Sequence, residues 1–142
     1  MEVDKERIKE KFVDGEKYID AIKQILENTR ETYAKSFNLQ LQGERAFEVI
    51  SQLFIDVCTH IISRTHGAGP PKSYGDCMRV LERLGVIQKE DTNRYIQLIK
   101  MRNRIIHIYG GIDANLVYDA LTDIIKDFAK YKSSVLAWLD RS

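Results

Sequence analysis

The chain is poor in the residues that interrupt helices. Its only two prolines are adjacent, Pro70 and Pro71, so the sequence on either side is free to be helical. Net charge is also scarce. The 22 Lys and Arg against 21 Asp and Glu leave +1, so no global field draws the chain to nucleic acid and any such site must be local. Two cysteines, Cys58 and Cys77, have no third partner and no metal-ligand spacing. They read as reduced thiols serving as small apolar fillers in a cytoplasmic protein. No apolar run approaches the roughly 20 residues that span a bilayer. The charged stretch from Glu2 to Lys11 does not resemble a secretory signal, so no membrane partner is expected. His60 and His66 stand six apart without a third ligand, which argues against a metal site. Gly67-Ala68-Gly69-Pro70 lacks the lysine and the strand of a phosphate-binding loop, and no cofactor is implied.

What is present is helical periodicity over a single-domain length. With 142 residues and 44% hydrophobic content, residues 1–142 can form one globular domain with its own core. Ile8, Phe12, Ile19, Ile22 and Leu26 recur at helical spacing, predicting a helix from Asp4, its N-cap, to about Tyr33. Gly15 weakens that helix without ending it. A second helix runs from about Leu39 to Arg64, with a broad apolar stripe suited to the centre of a bundle. Thr65 to Pro71 is the clearest loop. A shorter helix follows, with Ser73 as N-cap and Gly85 as stop. The fourth runs from about Glu90 to Ile108 and ends at Gly110-Gly111. Asp113 caps a last helix that continues nearly to the end of the chain. Asp119, Asp123 and Asp127 form an acidic stripe on it, interleaved with Lys126 and Lys130, which reads as a solvated, salt-bridged face. The expected fold is all-α: an antiparallel up-and-down bundle of four long helices plus one short one.

The most informative segment is Met101-Arg102-Asn103-Arg104-Ile105-Ile106-His107-Ile108-Tyr109, followed by Gly110-Gly111. Arg carries a permanent planar charge that matches phosphate oxygens. His titrates near neutral pH and moves protons. On a straight helix, positions five apart lie about 140° apart around the axis, so Arg102 and His107 do not share a face. Asn103 lies beside His107 and Tyr109 lies below Arg102. Two arrangements bring the pair together. Either the helix loosens near Gly110, or two copies of the motif face each other across a two-fold axis. The plainer reading treats His107 as a residue stabilising the helix end, and Lys100, Arg102 and Arg104 as a solvated basic face.

The spacing Arg-x4-His-x-Tyr resembles the motif of HepT-type toxins in the HEPN superfamily. Pro71-Lys72-Ser73-Tyr74 with Leu81-Glu82-Arg83-Leu84-Gly85-Val86-Ile87 resembles the short helix that precedes their catalytic helix, and Cys58 to Arg64 resembles the end of their second long helix. The similarity spans roughly Arg45 to Ala120. It implies a metal-independent endoribonuclease, a homodimer with the motif at its interface, and a cognate nucleotidyltransferase antitoxin that attaches AMP to the motif tyrosine, here Tyr109.

Roles follow residue by residue. His107 suits proton transfer to or from the reacting oxygens. Arg102 would hold the scissile phosphate of an RNA substrate and stabilise its developing charge. Asn103, the polar residue that often follows the motif arginine, would orient the imidazole or bond a phosphate oxygen. Lys100 and Arg104 would track the RNA backbone, and Ile105, Ile106 and Ile108 read as core or dimer contacts. Two readings stand: a toxin ribonuclease, or a non-catalytic HEPN module that binds nucleotide or a partner nucleotidyltransferase.

Overall fold

Short polar side chains start the helices. The computed structural model describes residues 3–107 and 112–141, with His107 given by its backbone only. The helices among these residues are α1 (Lys5–Ile25), α2 (Arg30–Lys35), α3 (Phe37–Ser63), α4 (Tyr74–Arg83), α5 (Lys89–His107) and α6 (Ala114–Arg141). Asp4 caps α1 by accepting from the Arg7 N–H at 3.1 Å, and Ser73 caps α4 by accepting from the Asp76 N–H at 3.0 Å. Gly85 ends α4 at φ 79, a backbone conformation that a side chain disfavours. The Gly110-Gly111 stop expected after α5 lies outside the described residues, as does Ile108.

One boundary differs from the expectation. The continuous helix from Asp4 to Tyr33 is broken after Ile25, and the six-residue α2 makes two short helices instead of one. The cause is local capping chemistry. Asn28 Nδ2 donates to the Ile25 carbonyl at 3.1 Å, while Thr29 caps α2 by accepting from the Thr32 N–H at 3.1 Å. The bend is held from α6. The Tyr118 hydroxyl donates to the Asn28 carbonyl at 2.8 Å, and Arg30 reaches Asp119 at 2.5 Å while lying 4.9 Å over the Tyr118 ring.

The four long helices alternate in direction. Asp4 meets His60 and Lys11 meets Asp56, so α1 and α3 are antiparallel. Asp91 meets Lys130 and Arg94 meets Asp127, so α5 and α6 are antiparallel as well. Helix α3 packs against all five other helices and holds the centre. It is long and apolar enough, with a mean hydropathy of 1.3, to meet the size and composition of a membrane span, but 61% of that stretch is buried inside the bundle. Around Phe54 lies an aromatic cluster: Tyr131 of α6 stacks on it at 4.1 Å, and Tyr95 of α5 meets both rings edge-on at 5.3 Å. Phe12 brings α1 into the same cluster.

Gly15 has a packing reason for its place inside α1. A Cβ there would lie 2.8 Å from both Leu53 and Phe128, so its absence lets α1 close onto α3 and α6 together. Two further expectations are corrected. Cys58 and Cys77 are not free thiols but a disulfide joining α3 to α4, with Cα atoms 6.3 Å apart. The acidic stripe of α6 is not a self-neutralising face. Asp127 is buried against Arg94 of α5, Asp119 pairs with Arg30 of α2, and Lys130 reaches across to the buried Asp91. Burial raises the Asp127 carboxyl despite Arg94.

Two outcomes follow. The Tyr131 hydroxyl, fully buried, donates to the Phe54 carbonyl at 2.9 Å. Tyr131→Phe keeps the ring and should cost about 1 kcal/mol in denaturant unfolding. His60 accepts from the Asp4 N–H at 3.2 Å in its neutral form. Its pKa is lowered by burial first and then by Arg64, Arg7 and Lys11, against Asp4. The folded state therefore binds that proton less readily than the unfolded chain. Its stability should be full above the ordinary histidine range and fall as pH drops through it. Thermal melts from pH 7 to 5 should show this fall, and His60→Gln should flatten it.

Candidate active site

The motif arginine sits where α5 crosses the middle of α3. Arg102 is half-buried, and its Nη2 donates to Gln52 Oε1 of α3 while Nη1 donates to Asn103 Oδ1 at 3.1 Å. Its Nε is buried and has no hydrogen-bond partner among the described residues. The other end of the Gln52 amide donates to Asp56 Oδ1 at 2.8 Å, and Lys11 of α1 lies 3.7 Å from Asp56. A polar chain thus runs from α1 through α3 to the motif. Gln52 has a particular use in it. A neutral amide orients the guanidinium by one strong acceptor without cancelling its charge, as a carboxylate in the same place would. The chain borders a cleft of about 260 Å³ between α1 and α3.

The sequence singled out Arg102 but not Gln52, Asp56 or Lys11. Gln52 and Asp56 sit one helical turn apart in the least apolar line of α3, which marks a face but not its partner. The contact to Arg102 spans fifty positions of chain, and no local pattern reports it.

Helix α5 stays helical through His107. Of the two arrangements open to the sequence, a loosening near Gly110 lies outside the described residues, and the helix is regular between Arg102 and His107. Backbone geometry sends the two positions to different sides of α5, about 140° apart. The His107 side chain and all of Tyr109 lie outside the described residues. Lys100, Asn103 and Arg104 are exposed and leave α5 on the side of His107. Asn103 joins this side to Arg102 by accepting from its Nη1. Arg94, about two turns earlier on α5, is spent on Asp127.

Two larger clefts flank α5 and differ in charge. One, of about 580 Å³ between α5 and α6, is walled by Asp119, Asp123 and Asp127, with Arg94 the one cation among the described residues of its lining, over an apolar floor. The other, of about 700 Å³ between α4 and α5, contains Lys72, Arg79, Lys100 and Asn103. An anionic polymer is repelled by the first and drawn to the second.

An up-and-down helical bundle with a held arginine and the Arg-x4-His spacing on one helix defines a HEPN-type domain. A family profile described as Ribonuclease HepT-like matches residues 16–135, which include the whole motif. The tRNA nuclease HepT of Aphanizomenon flos-aquae (strain 2012/KM1/D3) is 27% identical over 125 residues, covering 87% of this chain and 83% of that protein. Among solved structures, a tri-AMPylated Shewanella oneidensis HEPN toxin in complex with MNT antitoxin superposes with a TM-score of 0.82 at 21% identity, over 92% of this chain and 96% of that one. YutE of Bacillus subtilis, a cytosolic protein of unknown function, superposes with a TM-score of 0.83 at 17% identity, over 98% and 92%. These two likenesses establish the fold. The chain belongs to the Ribonuclease HepT-like family.

Proposed function

We propose that this protein is the toxin of a toxin–antitoxin pair, a metal-independent endoribonuclease whose active site forms where two copies of residues 1–142 meet. The observation that carries the reading is the state of Arg102: a permanent cation fixed by two neutral acceptors, with no carboxylate paired to it among the described residues. Such a group is preorganised for a phosphate. The family match supports RNA as the class of substrate.

In this reading the 2′-oxygen of the substrate attacks the adjacent phosphorus, and the bond from phosphorus to the 5′-oxygen breaks. The proton of the 2′-hydroxyl passes to one His107, and the leaving 5′-oxygen takes a proton from the other. Two histidines are at hand because a two-fold axis doubles every group near it. Arg102 binds the non-bridging oxygens as their charge grows, and Asn103 holds Arg102 and offers its amide to the phosphate. Lys100 and Arg104 carry the flanking backbone. The divergence of the Arg102 and His107 positions around α5 supports the dimer, in which the two motifs would face each other.

Tyr109 is the control point. It follows His107 by two positions, and an AMP group attached to its hydroxyl by a nucleotidyltransferase antitoxin would place negative charge where the RNA phosphate belongs. The AMPylated state of the Shewanella neighbour supports this. The compartment proposed is the cytoplasm, where RNA and nucleotide donors are found.

Purified protein should cleave RNA in the presence of a chelator, leaving a 2′,3′-cyclic phosphate or its opened form. It should run as a dimer in light scattering. His107→Ala should lower the rate at least a hundredfold with helical content unchanged, by circular dichroism. Cleavage that persists in that variant removes His107 from the mechanism, and intact RNA binding without cleavage by the unaltered protein selects the non-catalytic module. For control, co-expression with the cognate nucleotidyltransferase should add AMP at Tyr109, read by tandem mass spectrometry, and silence cleavage. Tyr109→Phe should escape both effects.

A further inference from the structure

We infer that the groove between α4 and α5 is a subsite for single-stranded RNA, with one base stacked on Tyr74 and backbone phosphates along Lys72, Arg79 and Lys100. The inference rests on the ribonuclease reading above and says where the strand flanking the cut phosphate runs.

Charge is the first support. Lys72, Arg79 and Lys100 all line the groove, and no carboxylate does. Among the described residues seven other lysines and arginines pair with carboxylates, and none of these three does. The nearest acid in sequence to Lys72, Asp76, accepts from the Lys72 backbone N–H at 2.9 Å and keeps its charge at the rim, so one bordering carboxylate stands against three cations. In a chain of net charge +1, three cations without ion-pair partners among the described residues leave the groove net positive.

Shape is the second support. Tyr74 is 45% exposed and forms no ring pair among the described residues, unlike the aromatic cluster of the core. The floor of the groove is the buried, apolar Ile96 and Ile99. Gly75 keeps the space above it open. A Cβ there would meet Ile96 at 3.7 Å and Arg79 at 3.9 Å, ordinary contact distances, so the glycine leaves room rather than avoiding a clash. An exposed ring beside an apolar floor and a line of cations matches the elements that hold an unpaired strand: stacking for the base, ion pairs for the phosphates. A duplex hides its bases within the stack and offers Tyr74 no free face.

Position is the third. Lys100 and Asn103 lie on the side of α5 that leads to His107, about 10 Å further along the helix from Lys100. Asn103 both lines the groove and accepts from Arg102. A strand lying in the groove is therefore delivered to the motif.

The test measures binding apart from cleavage. A fluorescent single strand with 2′-O-methyl riboses cannot be cut by 2′-hydroxyl attack, and its binding is read by anisotropy in EDTA beside a blunt duplex of equal length. The single strand should bind at least tenfold tighter than the duplex. Arg79→Glu should weaken single-strand binding about tenfold or more and flatten its salt dependence. Tyr74→Ala should weaken it about tenfold with the salt slope unchanged, and Tyr74→Phe, which keeps the ring, should restore it. Lys126→Glu, the same charge reversal on the exposed side of α6, should change it less than twofold. If Arg79→Glu and Tyr74→Ala bind like Lys126→Glu, or the duplex binds as tightly as the single strand, the groove is not the subsite. Cleavage of ordinary RNA separates the two readings. Cleavage that these groove variants leave intact overturns the subsite alone. Groove-dependent binding by a protein that never cleaves overturns the ribonuclease alone.

Discussion

The packing of Tyr131 on Phe54 is the contact on which the rest of the bundle depends. The two rings stack at 4.1 Å in the middle of α3 and α6, and Tyr95 closes the cluster from α5. Burying these aromatic surfaces fixes the separation and rotation of three helices at once, because interiors are close-packed and the rings have few alternative positions. Arg102 lies two turns beyond Tyr95 on the same helix. The rotation that places Tyr95 in the core therefore also turns Arg102 towards α3, where Gln52 meets it. Arg102 is positioned by the core rather than by a loop.

The helices were largely legible because their signals are local. Ser73, Gly85, Asp4 and the spacing of apolar residues each act within one or two turns, and the structure places those boundaries within one or two residues of where they were expected. The break at Asn28 and Thr29 is local as well, but it consists of two ordinary polar residues with no glycine or proline to mark them. The pairings were not legible. Gln52 with Arg102, Arg94 with Asp127 and Cys58 with Cys77 each join separate helices, and their meeting depends on how those helices rotate about their axes. The motif itself was visible from spacing and residue type. The amide that orients its arginine was not.

Charge is distributed by element rather than evenly. Helix α6 carries its acids towards α2 and α5, where they pair with Arg30 and Arg94 and wall the α5–α6 cleft. The far side of α5 faces Lys72, Arg79 and Lys100, which form no ion pair among the described residues. One helix thus separates an acidic cleft from a basic one, and a near-neutral chain presents a polyanion with a definite side to approach.

The continuity of α5 through His107 has a consequence for dosage. If two chains together make one reactive centre, mass action makes the concentration of active centres rise with the square of subunit concentration, and the active fraction in proportion to it, when protein is scarce. A few molecules made by leaky expression would then remain inactive as single chains. Conversely, an inhibitor that captures one subunit withdraws half of a shared centre and silences the other half with it. Under the shared-centre reading, the course of α5 through His107 would thus set both a threshold of abundance and a stoichiometry of restraint.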